Sequence, residues 1–586
     1  MSLGLFRESD ARARIAKRVA KPILVAVLAL ASAVALAQVR PDAGQILQQE
    51  RQPLRLPPPP DDDIRPRLPE PRPALPVSPT LKVRVSQFNF SGNTLFPSEQ
   101  LAEVVREYVG KELDFEGLTE AATRVRAFHR ERGYFLAQAY LPQQAIRDGV
   151  VEIAIIEGRI GVIELQRRPA TRLGEWLLAG ILDAHLQSGD IITETGLERP
   201  LLLINDLPTA SVTSEIRPSA TVGAADLRVN VDQGVGLING YVDFDTHGSR
   251  FTGANRLGGS VNLNNPLTIG DQATLRAFVT DEDMTFTRLA YIVPVWFWGT
   301  RFGVTVTDFS YKLGEEFASL QASGDGLVKS AFLFHPFYRT RNTNVIGQFA
   351  YEDKRLFDRI DDPNQPSTTD TFIDSLKAGI VGDSRDSIFG GGLNAFSITY
   401  THGDVKIAPT GAFNADQDAV NGLKTAGTFR KWNYDIKRLN RVTDSASVLL
   451  TLVGQQASKN LSSAEKMSLG GPNGVRAYPV GEAAGDSGNL VQGEVRYIFP
   501  GAKVFEGDVM VSAHYDWGQV FVNEKPLPTE TQNKRSISGY GVGVQLGREG
   551  NFIVRGSVSW RAEHEGPTAD PESRDPRGWL QAIKWF

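Results

Sequence analysis

Apolar and polar residues alternate strictly along most of the chain from residue 234 to residue 586. In the segment SISGYGVGVQLG, every second residue from Tyr540 onward is apolar and large: Tyr540, Val542, Val544 and Leu546. Successive side chains of a strand point to opposite faces of its sheet, so one face here is apolar and the other polar. Repeated strands of about ten residues with this pattern are typical of membrane-spanning β-barrels. A soluble β-sandwich also alternates and is the alternative fold.

Counting the alternating segments favours the barrel. The sequence predicts sixteen antiparallel strands, beginning near Leu237, Leu257, Ala273, Phe286, Thr300, Leu327, Asn344, Thr371, Gly392, Thr428, Ala446, Gly488, Asp508, Ser536, Asn551 and Arg577. An even number of strands is usual for bacterial outer-membrane barrels. Trp579, Trp585 and Phe586 suit an aromatic girdle at the last strand.

The connections between successive strands are alternately short and long. Residues 340–342 and 548–550 are short turns, whereas long loops fall at about residues 311–327, 355–370 and 403–425. Short periplasmic turns and long external loops characterise such barrels. Both ends of the barrel segment, residues 234–586, are therefore predicted to lie on the periplasmic side.

The first residues predict export from the cytoplasm. Several arginines and lysines precede the apolar run ILVAVLALASAVALA, which ends at Ala35, Leu36 and Ala37. A basic region, an apolar region and a small-residue cleavage site form a signal peptide, here residues 1–37. A membrane anchor is the alternative, but the run is shorter than the about 20 residues that a spanning helix needs.

Two segments without a large core follow. Residues 38–55 are predicted to contain a short helix around Gly44 to Gln52, either a frayed end or an element tethered so that it can move. Residues 56–80 are rich in proline, with four prolines in succession at 57–60. Such sequence favours an extended polyproline II linker.

Residues 81–158 and 159–233 read as two copies of one α+β module. Each shows the order strand, helix, helix, strand, strand, with helical spacing in Leu101, Val104 and Val105 of the first copy. Each copy ends in an edge strand, and an exposed edge can pair with an extended peptide.

Composition excludes several classes of protein. The 586 residues carry a net charge of −5, which excludes nucleic acid as a partner. The chain has no cysteine, and its seven histidines are scattered, so no disulfide, metal site or other cofactor is predicted. The tetrapeptide GDSG at 485–488 occurs without a supporting triad, and no catalytic residue or enzyme activity is predicted.

The loop between the eleventh and twelfth strands contains one arginine, Arg476, within a glycine-rich stretch. The loop is long enough to fold back into the barrel. Alternation places a polar set on the inner face of the next two strands: Gln492, Glu494, Arg496, Ser512, His514 and Asp516. A carboxylate there could bind the guanidinium in bidentate fashion. The alternative is an ordinary surface arginine on a flexible loop.

Two short motifs resemble the paired signatures of POTRA-domain outer-membrane barrels. The loop motif is GVRAYP, with Val475, Arg476, Ala477 and Tyr478, and the strand motif is HYDWGQV, with Asp516 and Gly518. With two modules behind a proline-rich linker and a helix, the whole mature chain resembles the TpsB transporters of two-partner secretion, of the FhaC and ShlB type. Ala477 stands where that family usually has glycine, and His514 where phenylalanine is common.

The resemblance implies a function. It implies that the modules, POTRA 1 and POTRA 2, bind a large unfolded TpsA-type exoprotein in the periplasm, and that the barrel exports it across the outer membrane of a Gram-negative bacterium. It also implies that the helix plugs the pore, that Asp516 holds Arg476 inside the barrel, and that the barrel contacts outer-membrane lipids and is inserted by the barrel-assembly machinery. An assembly factor and a passive porin are the alternatives. The identity of the cargo, and whether the chain also activates it, are left open by the sequence.

Overall fold

A computed structural model describes residues 40–50, 54, 56, 82–362, 366–563, 566–570 and 572–586. The predicted signal peptide, residues 1–37, and residues 57–80 of the predicted linker lie outside the described residues. The helices are α1 Ala43–Gln49, α2 Ser98–Val104, α3 Phe115–Glu131, α4 Glu175–Asp183, α5 Glu194–Asn205 and α6 Thr410–Asp416. Within the described ranges, none of these helices has the length and apolarity to cross a membrane.

The first module packs two helices on a small sheet. Its strands are β1 Val83–Arg84, β2 Gln87–Ser91, β3 Glu112–Leu113, β4 Gln138–Tyr140 and β5 Val150–Ile156. The order of the main sheet is β2-β5-β4, and a separate pair joins β1 to β3. The sequence predicts a single strand for the segment that contains β1 and β2, because apolar alternation runs through both. In the structure the two strands pair with different partners. Apolar residues of α2 and α3 cover the sheet.

The second module has strands β6 Arg159–Arg167, β7 Ala210–Pro218 and β8 Ala224–Gln233. Their order is β6-β8-β7, with β8 parallel to β6 and antiparallel to β7. Helices α4 and α5 bury leucines against one face of this sheet, among them Leu177, Leu178 and Leu201. The core of the module is therefore aliphatic, and Phe297 of the connection between β12 and β13 packs against it.

Sixteen antiparallel strands close into a barrel, as the sequence predicts. They are β9 Ile238–Asp245, β10 Arg256–Asn264, β11 Gln272–Thr280, β12 Thr285–Pro294, β13 Arg301–Lys312, β14 Ser323–Arg339, β15 Thr343–Ile360, β16 Ser367–Asp386, β17 Gly392–Ala408, β18 Gly427–Arg441, β19 Ala446–Ala457, β22 Ser487–Val504, β23 Gly507–Phe521, β24 Lys534–Arg548, β25 Phe552–Arg561 and β26 Arg577–Trp585. The numbers β20 and β21 belong to Met467–Ser468 and Ala484–Gly485, a short ladder inside the loop that follows β19. Pairing of β26 with β9 closes the ring.

One side of the barrel is much taller than the other. Strand β16 has 20 residues and β15 has 18, whereas β9 has 8 and β26 has 9. The sequence places the starts of β14 and β16 near Leu327 and Thr371, but the ladders begin at Ser323 and Ser367. Backbone pairing continues beyond the apolar band there, into segments whose polar composition predicts loops.

Alternation in the strands matches the two environments of the wall. On β23, Val511 and Tyr515 are exposed on the outside, whereas Asp516 is fully buried on the inside. Trp579 on β26 departs from the predicted girdle. It is 5% exposed and faces inward, because it occupies the opposite parity from the exposed Leu580.

The second module is joined to the periplasmic turns of the barrel by polar contacts. The Asp206 carboxylate receives two hydrogen bonds from Arg339 at 2.8 and 2.7 Å, and Arg199 donates to the carbonyl of Pro336 at 2.8 Å. The backbone amide of Gly174 donates to the carbonyl of Thr268 at 3.0 Å. These bonds hold α4 and α5 against the barrel rim.

Candidate functional site in the barrel lumen

The connection between β19 and β22, residues 458–486, folds into the barrel and is called the lumenal loop below. Its two arms form the ladder of β20 with β21, in which Met467 lies opposite Gly485 and Ser468 opposite Ala484. Residues beyond this ladder form the tip of the loop. The tip reaches the inner faces of β22, β23 and β26, where the predicted site residues lie.

Arg476 is at the tip and binds Asp516 on β23. Its Nε donates to Asp516 Oδ2 and its Nη2 to Asp516 Oδ1, both at 2.8 Å. The backbone amide of Arg476 also donates to Asp516 Oδ2, at 3.1 Å. The structure thus brings the two predicted residues together in a bidentate pair that also fixes the backbone of the loop. The side chain of Asp516 is 1% exposed and that of Arg476 13%, so the pair is sheltered from water.

A second carboxylate completes the charge balance. Arg476 Nη1 donates to Glu494 Oε2 at 2.6 Å, and Arg496 Nε donates to Glu494 Oε1 at 2.7 Å. Glu494 and Arg496 lie on β22, on the inner face that alternation predicts. Two guanidinium groups thus face two carboxylates, which offsets the cost of desolvating each charge. Planar bidentate recognition of this kind requires arginine, because a lysine presents a single point of charge.

The last strand contributes a residue that the sequence analysis assigns to the girdle. Trp579 Nε1 on β26 donates to the backbone carbonyl of Arg476 at 2.8 Å. The tip is therefore bonded to β26 as well as to β22 and β23. Alternation could have shown that Trp579 faces inward, since it shares the parity of Arg577 and Gln581.

The tip has an apolar core of its own. Val475, Ala477 and Tyr478 of the loop motif are each at most 2% exposed. They pack with residues of the loop arms and of the wall, including Met467, Leu469, Ala483, Leu490, Val520 and Ile537. The glycine-rich composition suggests a loop without packing, but the few apolar residues converge on one point. Burial of these side chains and the ion pairs hold the tip together.

Two glycines of the wall allow the tip to approach closely. A Cβ on Gly518 would lie 2.8 Å from Leu469 Cδ2, which explains a glycine at this position of the strand motif. A Cβ on Gly539 would lie 2.5 Å from the Cβ of Ala477. The methyl group of Ala477, which stands where the resembling family usually has glycine, therefore fits because β24 has no side chain opposite it.

His514, the second departure, lies beside the ion pairs on the inner face of β23. Its Nε2 is 3.0 Å from Ser559 Oγ on β25. A Cβ on Gly541 would lie 2.6 Å from His514 Nε2. The imidazole thus fills the space over a glycine and binds a polar partner that phenylalanine could not bind.

The first arm of the lumenal loop is held by a buried group of charges that the sequence analysis misses. Glu465 is fully buried; Lys431 binds its carboxylate at 2.7 Å, and Lys354 binds it as well. Lys354 is also 3.3 Å from Glu352, which binds Lys377 at 2.6 Å. These lysines and Glu352 have the inward parity of their strands. Inward lysines on neighbouring strands are the one sequence signal that could have indicated an acidic partner.

Two further buried carboxylates hold the second arm. Glu482 accepts hydrogen bonds from the backbone amides of Thr568 and Ala569, at 3.0 and 2.7 Å, in the connection before β26. Asp486 is 3.0 Å from Lys466 and accepts from the amide of Glu524 at 2.8 Å. The loop is therefore fastened along its whole length to the wall and to neighbouring connections.

Helix α1 lies inside the barrel against the first arm. Gly44 is so close to the arm that a Cβ there would lie 2.2 Å from Ser463 Oγ. Gln48 binds the carbonyl of Ala464, and the amide of Ala43 donates to Asp358 of β15 at 2.9 Å. Beyond the helix, Glu50 binds Arg256 of β10 at 2.6 Å. Helix and loop together occupy the lumen, and both are bonded to β15, the helix through Asp358 and the loop through Lys354.

Within the residues that the structure describes, no cluster of three or more histidine, aspartate or glutamate side chains has the arrangement of a metal site. Many charged groups of the lumen are instead paired with one another. Ion pairs and hydrogen bonds of this kind hold helix α1 and the lumenal loop inside the barrel without covalent bonds.

A closed sixteen-stranded barrel with α+β modules at its N-terminal side defines an outer-membrane barrel protein of the POTRA-bearing class. Comparison with known proteins agrees with this class. Residues 223–546 match the family described as haemolysin secretion/activation protein ShlB/FhaC/HecB, and residues 83–158 match the ShlB-type POTRA domain. The chain belongs to this haemolysin secretion/activation family.

Individual relatives cover most of the chain. It is 29% identical over 493 residues to the heme/hemopexin transporter protein HuxB of Haemophilus influenzae, covering 83% of this chain and 84% of that one. It is 23% identical to the outer membrane transporter CdiB of Dickeya dadantii, covering 80% of each chain. The solved structure of CdiB from Escherichia coli shares the fold, with a TM-score of 0.68 at 19% identity, over 88% of this chain and 93% of that one.

These findings confirm the predicted family, fold class, location and function. The protein is a transporter of two-partner secretion in the outer membrane of a Gram-negative bacterium, with its POTRA modules in the periplasm. The family consists of transporters rather than enzymes.

Proposed function

We propose that the modules bind a large secreted TpsA-type exoprotein in the unfolded state and that the chain passes it through the barrel after α1 leaves the lumen. In this proposal the lumenal loop stays in the barrel, with Arg476 and Asp516 fixing its tip. The relatives named above are transporters, which supports export as the activity. Insertion by the barrel-assembly machinery belongs to the same proposal.

The observation that carries the proposal is the difference, among the described residues, between helix α1 and the lumenal loop as occupants of the lumen. Helix α1 has seven residues and buries only Ala43, Gly44 and Ile46. The lumenal loop, in contrast, is held by four buried acidic groups and an apolar core. The helix can therefore leave at much lower cost than the loop. A passive porin would need neither occupant.

The experiment measures secreted cargo for Arg476→Ala, Asp516→Ala and the double variant. Removing one partner of a buried ion pair costs about 3–5 kcal/mol, much more than the about 0.2–1 kcal/mol of an exposed pair. Each single variant should therefore reduce export at least about tenfold, since tenfold corresponds to about 1.4 kcal/mol. The double variant should be little worse than either single one, because the residues are coupled. Arg476→Lys should restore little export.

A matched control uses an exposed ion pair on the same barrel. Lys312 and Asp283 are 3.6 Å apart, with side chains 73% and 77% exposed. Lys312→Ala should leave export unchanged, and all variants should reach the outer membrane as folded barrels. Additive losses in the double variant would show that Arg476 and Asp516 act independently and would contradict their role as one fastener.

A further inference from the structure

Large apolar side chains are exposed at successive periplasmic connections of the barrel. They are Leu267, Trp296, Phe337, Phe389, Val442 and Phe505. Each belongs to a different connection or to the strand end beside it. A soluble surface seldom carries such a ring, whereas the interface between a membrane and water favours aromatic residues. The ring marks the level at which the barrel leaves the periplasmic leaflet.

The strand ends beside two of these side chains, Trp296 and Phe337, lie on the outer face of the barrel. Val295 is exposed and has the same parity as Leu289, which is exposed on the outer face of β12. Phe337 lies at the β-bulge of β14, and a Cβ on Gly347 of β15 would lie 2.4 Å from its ring; Gly347 shares the parity of the exposed Phe349. At these two connections the exposed side chains are thus continuous with the apolar outer wall.

One residue of the second module joins the same surface. Trp176, in the first turn of α4, is 57% exposed. Its ring contacts Phe297 edge-on, with centroids 6.1 Å apart, and Phe297 is the neighbour of Trp296, which is 65% exposed. Two residues before it, Gly174 binds the carbonyl of Thr268, next to Leu267. Trp176 is therefore anchored to two adjacent rim connections, each with an exposed apolar side chain.

We propose that Trp176, Leu267 and Trp296 form one lipid-contacting patch, and that the second module dips α4 into the periplasmic phospholipid leaflet. An indole has an apolar body and a polar N–H, which suits it to the headgroup level of a bilayer. Continuity with the lipid-facing wall identifies the occupant as lipid, since a cargo segment or a second copy would have to displace lipid from the neighbouring rim. The patch would fix the tilt of the module relative to the membrane.

The absence of cysteine from the sequence makes a direct test possible. Trp176→Cys carries a nitroxide in the full chain, reconstituted in vesicles of phosphatidylethanolamine and phosphatidylglycerol. Collision with oxygen, which concentrates in lipid, is compared with collision with a water-soluble nickel chelate. Val222→Cys is the control, because Val222 belongs to the same module and is 91% exposed in the connection between β7 and β8. The nitroxide at 176 should collide more with oxygen than with the chelate, and the nitroxide at 222 should collide more with the chelate.

A second measurement avoids the label. Lipids brominated on their acyl chains should quench less tryptophan fluorescence in Trp176→Phe than in the natural chain. The control Trp579→Phe removes a lumenal tryptophan that is 5% exposed, and it should not lower the quenched fraction. Equal access of the chelate at 176 and 222, shielding of 176 from both reagents, or unchanged quenching in Trp176→Phe would each overturn the lipid patch.

Discussion

Arg476 is fixed by its backbone as well as by its side chain. Asp516 accepts from the guanidinium and from the amide, while Trp579 binds the carbonyl. A guanidinium held at both the side chain and the backbone cannot swing to a new partner without moving the whole tip. The ion pair therefore sets the position of the loop on the wall.

Exchanging alanine and glycine between positions 477 and 539 tests the contact of the loop tip with β24. Gly539→Ala places a methyl group against Ala477 and should weaken docking of the tip by about 1–3 kcal/mol, as overpacking usually does. Ala477→Gly alone should have a smaller effect. The double variant should regain part of the loss, because the methyl group is moved from the loop to the wall. Protease resistance of the lumenal loop in purified barrels measures docking, and equal loss in the Gly539→Ala and double variants would contradict the contact.

The sequence predicts inward-facing residues well and loop partners poorly. Strict alternation places Glu494 and Asp516 in the lumen, so a partner for Arg476 can be sought among few candidates. Glu465 is different: it lies in a loop without periodicity, and its partner Lys354 is 111 positions away along the chain. Nothing local to Glu465 indicates that it is buried, and only the fold of the loop brings it to the lysines.

Helix α1 is short but specifically placed. Asp42 caps it by accepting from the amide of Gln45 at 2.8 Å, and Gly44 permits contact with the first arm of the lumenal loop. A helix of seven residues is unstable in isolation, so its structure depends on the lumen around it. The sequence predicts such a helix in residues 38–55, but its location cannot be read from a segment with so few apolar residues.

Removing residues 38–55 should raise the ion conductance of the barrel in planar bilayers while export continues, because the helix is one of the two lumenal occupants. Gly44→Val should act in the same direction, since a side chain there collides with Ser463. Gln45→Val is the control, because Gln45 is only partly buried. Unchanged conductance in the deletion would indicate that the lumenal loop alone closes the pore.

The POTRA modules are expected to capture cargo. Strand β7 is at one edge of the sheet β6-β8-β7, and β4 is at one edge of the sheet β2-β5-β4. An extended peptide can add to such an edge through its main chain, which makes binding tolerant of sequence.

Deleting residues 81–157 should abolish export and leave the barrel inserted, because β2, β4 and β5 are lost together. Secreted cargo and the heat-dependent mobility of the barrel measure the two effects separately. Undiminished cargo in the medium would show that the first module is not needed for capture.

The junction between the second module and the barrel is a property of the whole molecule. Besides the pair of Asp206 with Arg339, His185, two residues after α4, packs on Trp298 of the rim, with ring centroids 4.8 Å apart. Burial lowers the pKa of His185 below its ordinary value of 6.5, and the positive charge of Arg199 lowers it further. The neutral imidazole thus suits the docked module.

Acidification should therefore loosen the junction. The docked state binds fewer protons than the detached state, so docking is strongest above pH 6.5 and weakens as the pH falls below that value. Nitroxide labels on Val222→Cys and Glu549→Cys should give a broader distance distribution at about pH 5.5 than at about pH 7.5, a change centred on histidine titration. His185→Gln should remove this pH dependence. Equal broadening in that variant would assign the effect to other groups.

The unequal lengths of the strands make the external opening of the pore asymmetric. At about 3.3 Å per residue, and with the tilt usual for such strands, the side of β15 and β16 stands roughly 25 Å above an apolar band that needs about ten residues. On the side of β9 and β26 the strands end near the surface of the bilayer. A polypeptide that emerges from the lumen passes a higher wall on the flank of β15 and β16 than on the flank of β9 and β26. It should begin to fold outside the cell over the low flank, shielded from neighbouring surface structures on the high one.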